Sequence, residues 1–179
     1  MSVEIRKLDR ASVEEREIVF EYESDGHYRA AIERTDECWS ISLKREKFPA
    51  PFSKKEVEKL VTPYKGESEI LAAYVDGHEA GLLQIEHQKW NNSLRVWDIG
   101  VWTKFQRRGI GRALMDAAKI RARELGARRI VLETQTSNVK AIDFYLACGF
   151  ELVGLDATNY TNGDVAKGEV RLEMACHLA

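Results

Sequence analysis

No run of about 18 apolar residues occurs in this chain, and that lack removes a membrane-spanning helix from consideration. Cysteine is scarce too. Cys38, Cys148 and Cys176 lie far apart and never take a Cys-x-x-Cys spacing, the pattern of thiols kept reduced in a cytoplasm rather than of a disulfide framework. The four histidines, at 27, 78, 87 and 177, show no ligand spacing, so no metal is expected. Neither sign of charge dominates. With 27 bases against 29 acids the net charge is −2, so no whole-molecule field would recruit nucleic acid or a membrane, and neither is expected as a partner. The opening MSVEIRKLDR is charged throughout and is not expected to serve as a signal peptide. What is present, 179 residues that are 44% hydrophobic and 31% charged, predicts one soluble domain over 1–179 with a proper core.

The pattern along the chain predicts a mixed α/β sheet. Val3 to Leu8 alternates weakly, as a first strand would, and residues 9–37 carry ten acids against four bases. Trp39 to Lys44 alternates apolar and polar, a strand pattern. Ser53 then opens SKKEVEKLV with Glu56 three residues on, the capping-box spacing, which predicts a short helix. Ile70 to Val75, the turn Asp76-Gly77 and Gly81 to His87 form a hairpin signal, and Asn91-Asn92 turns the chain into Leu94 to Trp102. From Gly109 to Leu125 apolar residues recur at Ile110, Leu114, Ala117 or Ala118, and Leu125, with Gly126 as the stop. Ile130 to Leu132 reads as a short buried strand, and Ser137 or Asn138 caps a helix that Gly149 ends. Phe150 to Val153 and Val170 to Ala175 supply the last strands. Three or four antiparallel strands precede strand-helix-strand-helix-strand-strand, which is not the doubly wound order.

Where the strand hands over to the long helix, residues 105–114 read FQRRGIGRAL. Helix N-termini hold anions, and glycines at 109 and 111 would let the backbone approach a bound group without a Cβ in the way. Residues 103–123 hold seven bases against one acid, Asp116, a concentrated patch in a nearly neutral chain. A Walker loop would need Gly-Lys-Ser/Thr where Arg112-Ala113 stands. A Rossmann fingerprint would need Gly or Ala at Leu114 and a parallel opening. A solvated basic helix face remains the bland alternative, because a lone Gly-x-Gly is weak.

A second motif separates these readings. Gln106-x-x-Gly109-x-Gly111, after a strand ending Ile99-x-Val101, resembles the acetyl-CoA motif of the GNAT superfamily of N-acetyltransferases. Asn138-x-x-Ala141-x-x-Phe144-Tyr145-x-x-x-Gly149-Phe150 resembles that superfamily's second motif at its usual distance downstream, and together the two cover residues 95–153. Leu132-Glu-Thr-Gln135, the Glu169-Val170 strand and Phe48-Pro-x-Pro-Phe52 resemble, more narrowly, the streptothricin acetyltransferases, cytoplasmic resistance enzymes that acetylate a lysine-type amine. The final EVRLEMACHL departs from the more aromatic ending of that group.

The resemblance implies a mostly antiparallel twisted sheet, flanked by helices and splayed between its fourth and fifth strands, with acetyl-CoA wedged into the splay. Backbone amides of Gln106, Arg107, Arg108, Gly109, Ile110, Gly111 and Arg112 would hold the pyrophosphate. Ile99, Gly100 and Val101 would pair with the pantetheine amides, with Asn138 and Ala141 of the second motif near the pantetheine arm. Tyr145 would protonate the departing thiolate, its plainer role being a core aromatic with a satisfied hydroxyl. A lysine-like acceptor amine with pKa about 10.4 is neutral in only about one molecule in 10³ at pH 7, a deficit of about 4.6 kcal/mol. A carboxylate to take that proton is therefore expected: Asp98 first, on the strand that binds the acyl carbonyl, then Glu133, then Glu86. Each is equally an ordinary structural acceptor. Trp90, Trp97 and Trp102 flank the same strand as core or as substrate walls, with Trp97 the one on it nearest Asp98. Tyr160 and Asp164 lie in the polar segment 156–169, where specificity would be set. The expected acceptor is a small cationic amine, and because many relatives pair, a homodimer is expected. A protein N-terminus or lysine as acceptor, and an acyl-CoA sensor without catalysis, are the alternatives.

Overall fold

The structure, a computed structural model, describes residues 2–178. Among the described residues nine strands, three helices and three single 3-10 turns follow one another. The strands are β1 (Val3–Leu8), β2 (Glu17–Arg34), β3 (Trp39–Lys59), β4 (Glu69–Val75), β5 (His78–Gln88), β6 (Ser93–Val101), β7 (Arg129–Gln135), β8 (Glu151–Asp156) and β9 (Arg171–His177). The helices are α1 (Ile110–Glu124), α2 (Val139–Ala147) and α3 (Asp164–Lys167). No helix among the described residues is long and apolar enough to cross a membrane. Among the described residues, Cys38, Cys148 and Cys176 form no disulfide.

The chain forms two compact units. The first contains residues 2–20, 57–132 and 175–178, the second residues 21–56 and 133–174. In the first, hydrogen bonding runs β1-β4-β5-β6-β7. β1, β4, β5 and β6 are antiparallel neighbours, and β7 joins β6 in parallel. The β4–β5 turn needs two left-handed residues in succession, which Asp76 (φ 50°) and Gly77 (φ 79°) supply. A parallel neighbour requires a crossover, and α1 provides it. Ile110, Leu114, Met115, Ala118 and Ala122 are its buried residues, an apolar stripe one side of the helix wide. Gly81 lies where a Cβ would sit 2.5 Å from the Gly100 carbonyl oxygen and 3.3 Å from Leu114, so a bare backbone lets α1 settle against the sheet. A second cluster gathers Val13, Ile18 and Leu60 with Ile70, Ala72 and Leu82. Each large aliphatic buried this way contributes roughly 1.5–3 kcal/mol.

In the second unit the order is β7-β9-β8, and Ala30, Ile142, Val170 and Leu172 form the core. Thr136 ties it together. Its carbonyl accepts from the Tyr28 amide, its amide donates to Val170, and its hydroxyl both donates to Gly168 and accepts from the Val170 amide.

The helix predicted at Ser53 does not form; those residues end β3, which pairs with β2 in a two-stranded ribbon. The acid run of 9–37 explains the difference. β2 is the acidic strand and this part of β3 is basic, and Lys55 meets Glu21 at 4.0 Å while Lys59 meets Glu15, just ahead of β2, at 2.8 Å. A local capping signal worth about 1 kcal/mol loses to a full ladder of backbone hydrogen bonds. Pro49 and Pro51, two residues apart, place their missing donors on one edge of β3, which a two-stranded ribbon can leave unpaired. Flanking them, Phe48 and Phe52 stack at 5.0 Å, with His27 on Phe48 at 4.5 Å.

Candidate active site

β6 carries the first half of the expected machinery. Opposite β5 its register jumps, Gln84 facing Asp98 and Ile85 facing Val96, so Trp97 is an extra, bulged residue. The parallel ladder to β7 runs from Ser93 with Arg129 to Val96 with Leu132 and stops at that bulge. Ile99, Gly100 and Val101 thus continue β6 beyond its β7 pairing. This edge suits an extended chain of amides.

After β6 a 3-10 turn, Thr103–Phe105, is held back on the strand by Gln106, whose side chain donates to the Val101 carbonyl at 3.1 Å. Arg107 (φ 62°) and Gly109 (φ 80°) are both left-handed, a conformation a non-glycine residue takes only under constraint. A Cβ on Gly109 would meet nothing within 4 Å, so the glycine answers a backbone requirement and leaves open space beside it. The ladder of α1 begins with the Ala113 amide donating to Gly109, which leaves the amides of Ile110 and Gly111 ahead of it. Arg107, Arg108 and Arg112 are exposed around this helix mouth, whereas Arg121 at the far end is tied to Glu69 and Glu124.

Of the three carboxylates, Asp98 is the most deeply committed. Its Oδ2 sits 2.7 Å from Lys65 Nζ, and the two side chains are only 4% and 2% exposed. Burial pushes the Asp98 carboxyl upward against the pull of the Lys65 ammonium. Burial works against the Lys65 charge too, but the hydrogen bond and charge of Asp98 outweigh it and hold that ammonium above its ordinary range. Glu86 accepts the Trp97 indole N–H at 3.0 Å, and Tyr64 meets the Trp97 ring edge-on at 5.8 Å.

The second unit places Glu133 at the end of β7, with Tyr160 donating its hydroxyl to Oε1 at 2.6 Å and Arg171 at 3.2 Å from Oε2. Gln135 donates to the same Tyr160 oxygen at 3.0 Å. Burial and the adjacent Glu133 charge push the Tyr160 phenol well above its usual range. Asp164 braces this loop by accepting from the amides of Tyr160 and Thr161 and from the Thr161 hydroxyl. Burial of its carboxyl is outweighed by those three bonds, so it stays ionised below the usual carboxylate range. Asn138 is the N-cap of α2, its side-chain oxygen accepting from the Ala141 amide at 3.2 Å. Tyr145 is buried on α2 beside Phe144 and Phe150.

In the first unit the structure joins Asp98, Trp97 and Glu86 to one neighbourhood, and Ile99, Gly100, Val101 and Gln106 to another along the same strand. In the second it joins Glu133 to Tyr160. Sequence reasoning missed Lys65, Tyr64 and Arg171. The single cue for the first two was the Pro63–Gly66 turn, and nothing marked Arg171. Among the described residues no three of His, Cys, Asp and Glu are gathered as a metal site.

Known proteins resemble this chain. A streptothricin acetyltransferase of Streptomyces lavendulae is 38% identical over 105 residues, 59% of this chain and 55% of that one. The chain spans about half the length of the curated relatives it matches. The crystal structure of nourseothricin acetyltransferase superposes with a TM-score of 0.77 at 29% identity over the whole of both chains. A Bacillus anthracis str. Ames protein solved in complex with acetyl coenzyme A gives 0.76 at 24% identity, covering 99% of this chain and all of that one; this likeness speaks for the fold. Residues 20–150 match the Acetyltransferase (GNAT) family, and the chain belongs to it.

Proposed function

We propose that this chain moves the acetyl group of acetyl-CoA to a primary amine of a small cationic molecule, of the streptothricin type, in one domain working in the cytoplasm. One observation carries the reading. In a chain of the GNAT family, β6 runs on past its last β7 partner and leads, through left-handed Arg107 and Gly109, to helix amides ahead of their own ladder. Those are the groups that amides and a diphosphate require. The kinship with streptothricin and nourseothricin acetyltransferases supports the acceptor class.

In this reading Ile99, Gly100 and Val101 pair with the pantetheine amides, and residues 106–112 take the diphosphate. Asn138 and Ala141 contribute to the pantetheine arm. The amine nitrogen attacks the thioester carbonyl directly, the C–S bond breaks, and Tyr145 gives the thiolate its proton. The proton lost by the amine goes to Glu133. A base must reach the amine or a bound water, and the Glu133 side chain is 29% exposed whereas that of Asp98 is sealed against Lys65. Tyr160 and Arg171 then orient the Glu133 carboxylate.

The test is release of CoA thiol from acetyl-CoA in the presence of streptothricin, spermidine, a lysine peptide or a peptide N-terminus. Release with streptothricin is expected. Release with the peptides alone makes protein the acceptor, and acetyl-CoA binding without release from any amine leaves a sensor.

A further inference from the structure

The buried Lys65–Asp98 pair has no part in the chemistry above, yet the chain bears the cost of taking two charges out of water. What the pair holds is a turn. Pro63–Lys65 form a single 3-10 turn after Thr62, and Gly66 closes it with φ 52°, its amide donating to the Pro63 carbonyl. The turn is gripped from three strands. Asp98 of β6 takes Lys65 at 2.7 Å. Glu58 of β3 lies 3.4 Å from the same ammonium and 3.4 Å from the Tyr64 hydroxyl. The Glu86 carboxylate of β5 lies under Gly66, in the space a Cβ there would take.

So fixed, the turn presents one large group. Tyr64 is 60% exposed and stands edge-on to Trp97, the bulged residue of β6. Trp97 is itself pinned, its N–H on Glu86 and the Arg95 guanidinium 5.1 Å over its ring. The result is a rigid aromatic corner. Its exposed wall is the Tyr64 ring, and the Glu58 and Glu86 carboxylates flank it. This combination attracts an organic cation through both ring face and charge.

We infer that the Thr62–Gly66 turn is the acceptor-recognition edge, with Tyr64 a specificity-determining residue that takes a cationic arm of the amine, and with Lys65 and Asp98 positioning residues that hold it. This rests on the acetyl-transfer reading and adds to it the groups that choose the acceptor. Nothing in the step is covalent. The acceptor is bound, not transformed, at this edge.

The experiment measures steady-state kinetics with streptothricin and with spermidine, and calorimetric binding of streptothricin to the chain saturated with CoA. Tyr64→Ala should raise the amine KM and the calorimetric Kd about three- to thirtyfold, with kcat, the acetyl-CoA KM and the melting temperature unchanged. Tyr64→Phe should restore most of that loss, because the ring face is kept. Lys65→Met/Asp98→Leu, which replaces the ion pair by apolar side chains, should fold and show the same rise in amine KM. Turnover by the wild type with an unaltered amine KM in Tyr64→Ala overturns this inference alone. A wild type that neither turns over nor binds any amine overturns the acetyl-transfer reading and this inference together.

Discussion

The Lys65–Asp98 pair yields a stability prediction whose sign is unusual. Lys65→Met keeps the side-chain length and removes the charge, leaving a carboxylate that is 4% exposed with no cation 2.7 Å away. Breaking a buried pair from one side costs about 3–5 kcal/mol. For a chain of this size that is a fall in melting temperature of about 8–13 °C. The orphaned Asp98 relieves part of this by protonating. Burial already pushes its carboxyl upward with Lys65 in place, and removing the opposing ammonium pushes it further. A carboxyl whose folded pKa lies above its unfolded one costs stability at high pH and returns it as the pH falls through the folded value. The deficit of Lys65→Met relative to the wild type should therefore shrink from pH 8 to pH 5, by up to about 1.4 kcal/mol per pH unit. Urea denaturation of both proteins across that range measures it. Lys65→Met/Asp98→Leu should lie near the wild type at every pH, since an apolar pair of similar volume bears no desolvation cost. A deficit independent of pH, or a double variant as unstable as the single one, would refute the reasoning.

Other expectations concern separate parts of the chain. Burial of Glu69 works to raise its pKa, but hydrogen bonds from Arg121 and Lys7 outweigh it and hold the carboxyl below its ordinary range. That stability is present above the unfolded pKa and is lost as pH falls through the lowered folded value, so Glu69→Gln should flatten the acid limb of the denaturation curve between about pH 5 and 3; an unchanged limb would dismiss the network. Gly109→Val demands a left-handed β-branched residue at the mouth of α1 and should raise the acetyl-CoA Kd at least tenfold by fluorescence titration, and an unaltered constant counts against the diphosphate cradle. Gly66→Ala combines φ 52° with a Cβ in the space of the Glu86 carboxylate and should cost about 1–3 kcal/mol; a neutral result would mean that Glu86 moves freely. Tyr145→Phe should lower kcat with acetyl-CoA affinity intact, and full turnover would leave Tyr145 a core aromatic.

Sequence patterns reported what is local. The α1 stripe, the Asp76-Gly77 turn and the Asn138 cap each depend on neighbours within four or five residues, and each lies where its pattern put it. The Ser53 capping box failed for the complementary reason. Its competitor, pairing with an acidic strand some thirty residues earlier, leaves no mark on the local spacing. Trp39 to Lys44 was correctly extended, but that β3 continues fifteen residues further depends on β2 alone. The same divide runs through the site. Gln106, Gly109 and Gly111 stand in one short motif. Lys65 and Asp98 are 33 residues apart, and Arg171 and Glu133 come from different strands, so neither pair has a spacing to recognise.

One strand gathers most of the costly features of the first unit. β6 carries a bulge at Trp97, a buried charge at Asp98 and the end of its own parallel ladder at Val96, within three residues. Each alone is a liability: a bulge loses a ladder hydrogen bond, a buried carboxylate needs a partner, an unpaired edge invites strange strands. Together they have one outcome. The bulge falls at the point where the β7 pairing stops, and in the reading proposed above the backbone that follows pairs with the cofactor instead. Asp98, the next residue, is held by Lys65 at 2.7 Å, which anchors the strand beside the bulge. On this account the ion pair stabilises a shape more than it stabilises the fold, and restoring a regular register by deleting the bulged residue should yield a chain at least as stable as the wild type that no longer binds acetyl-CoA.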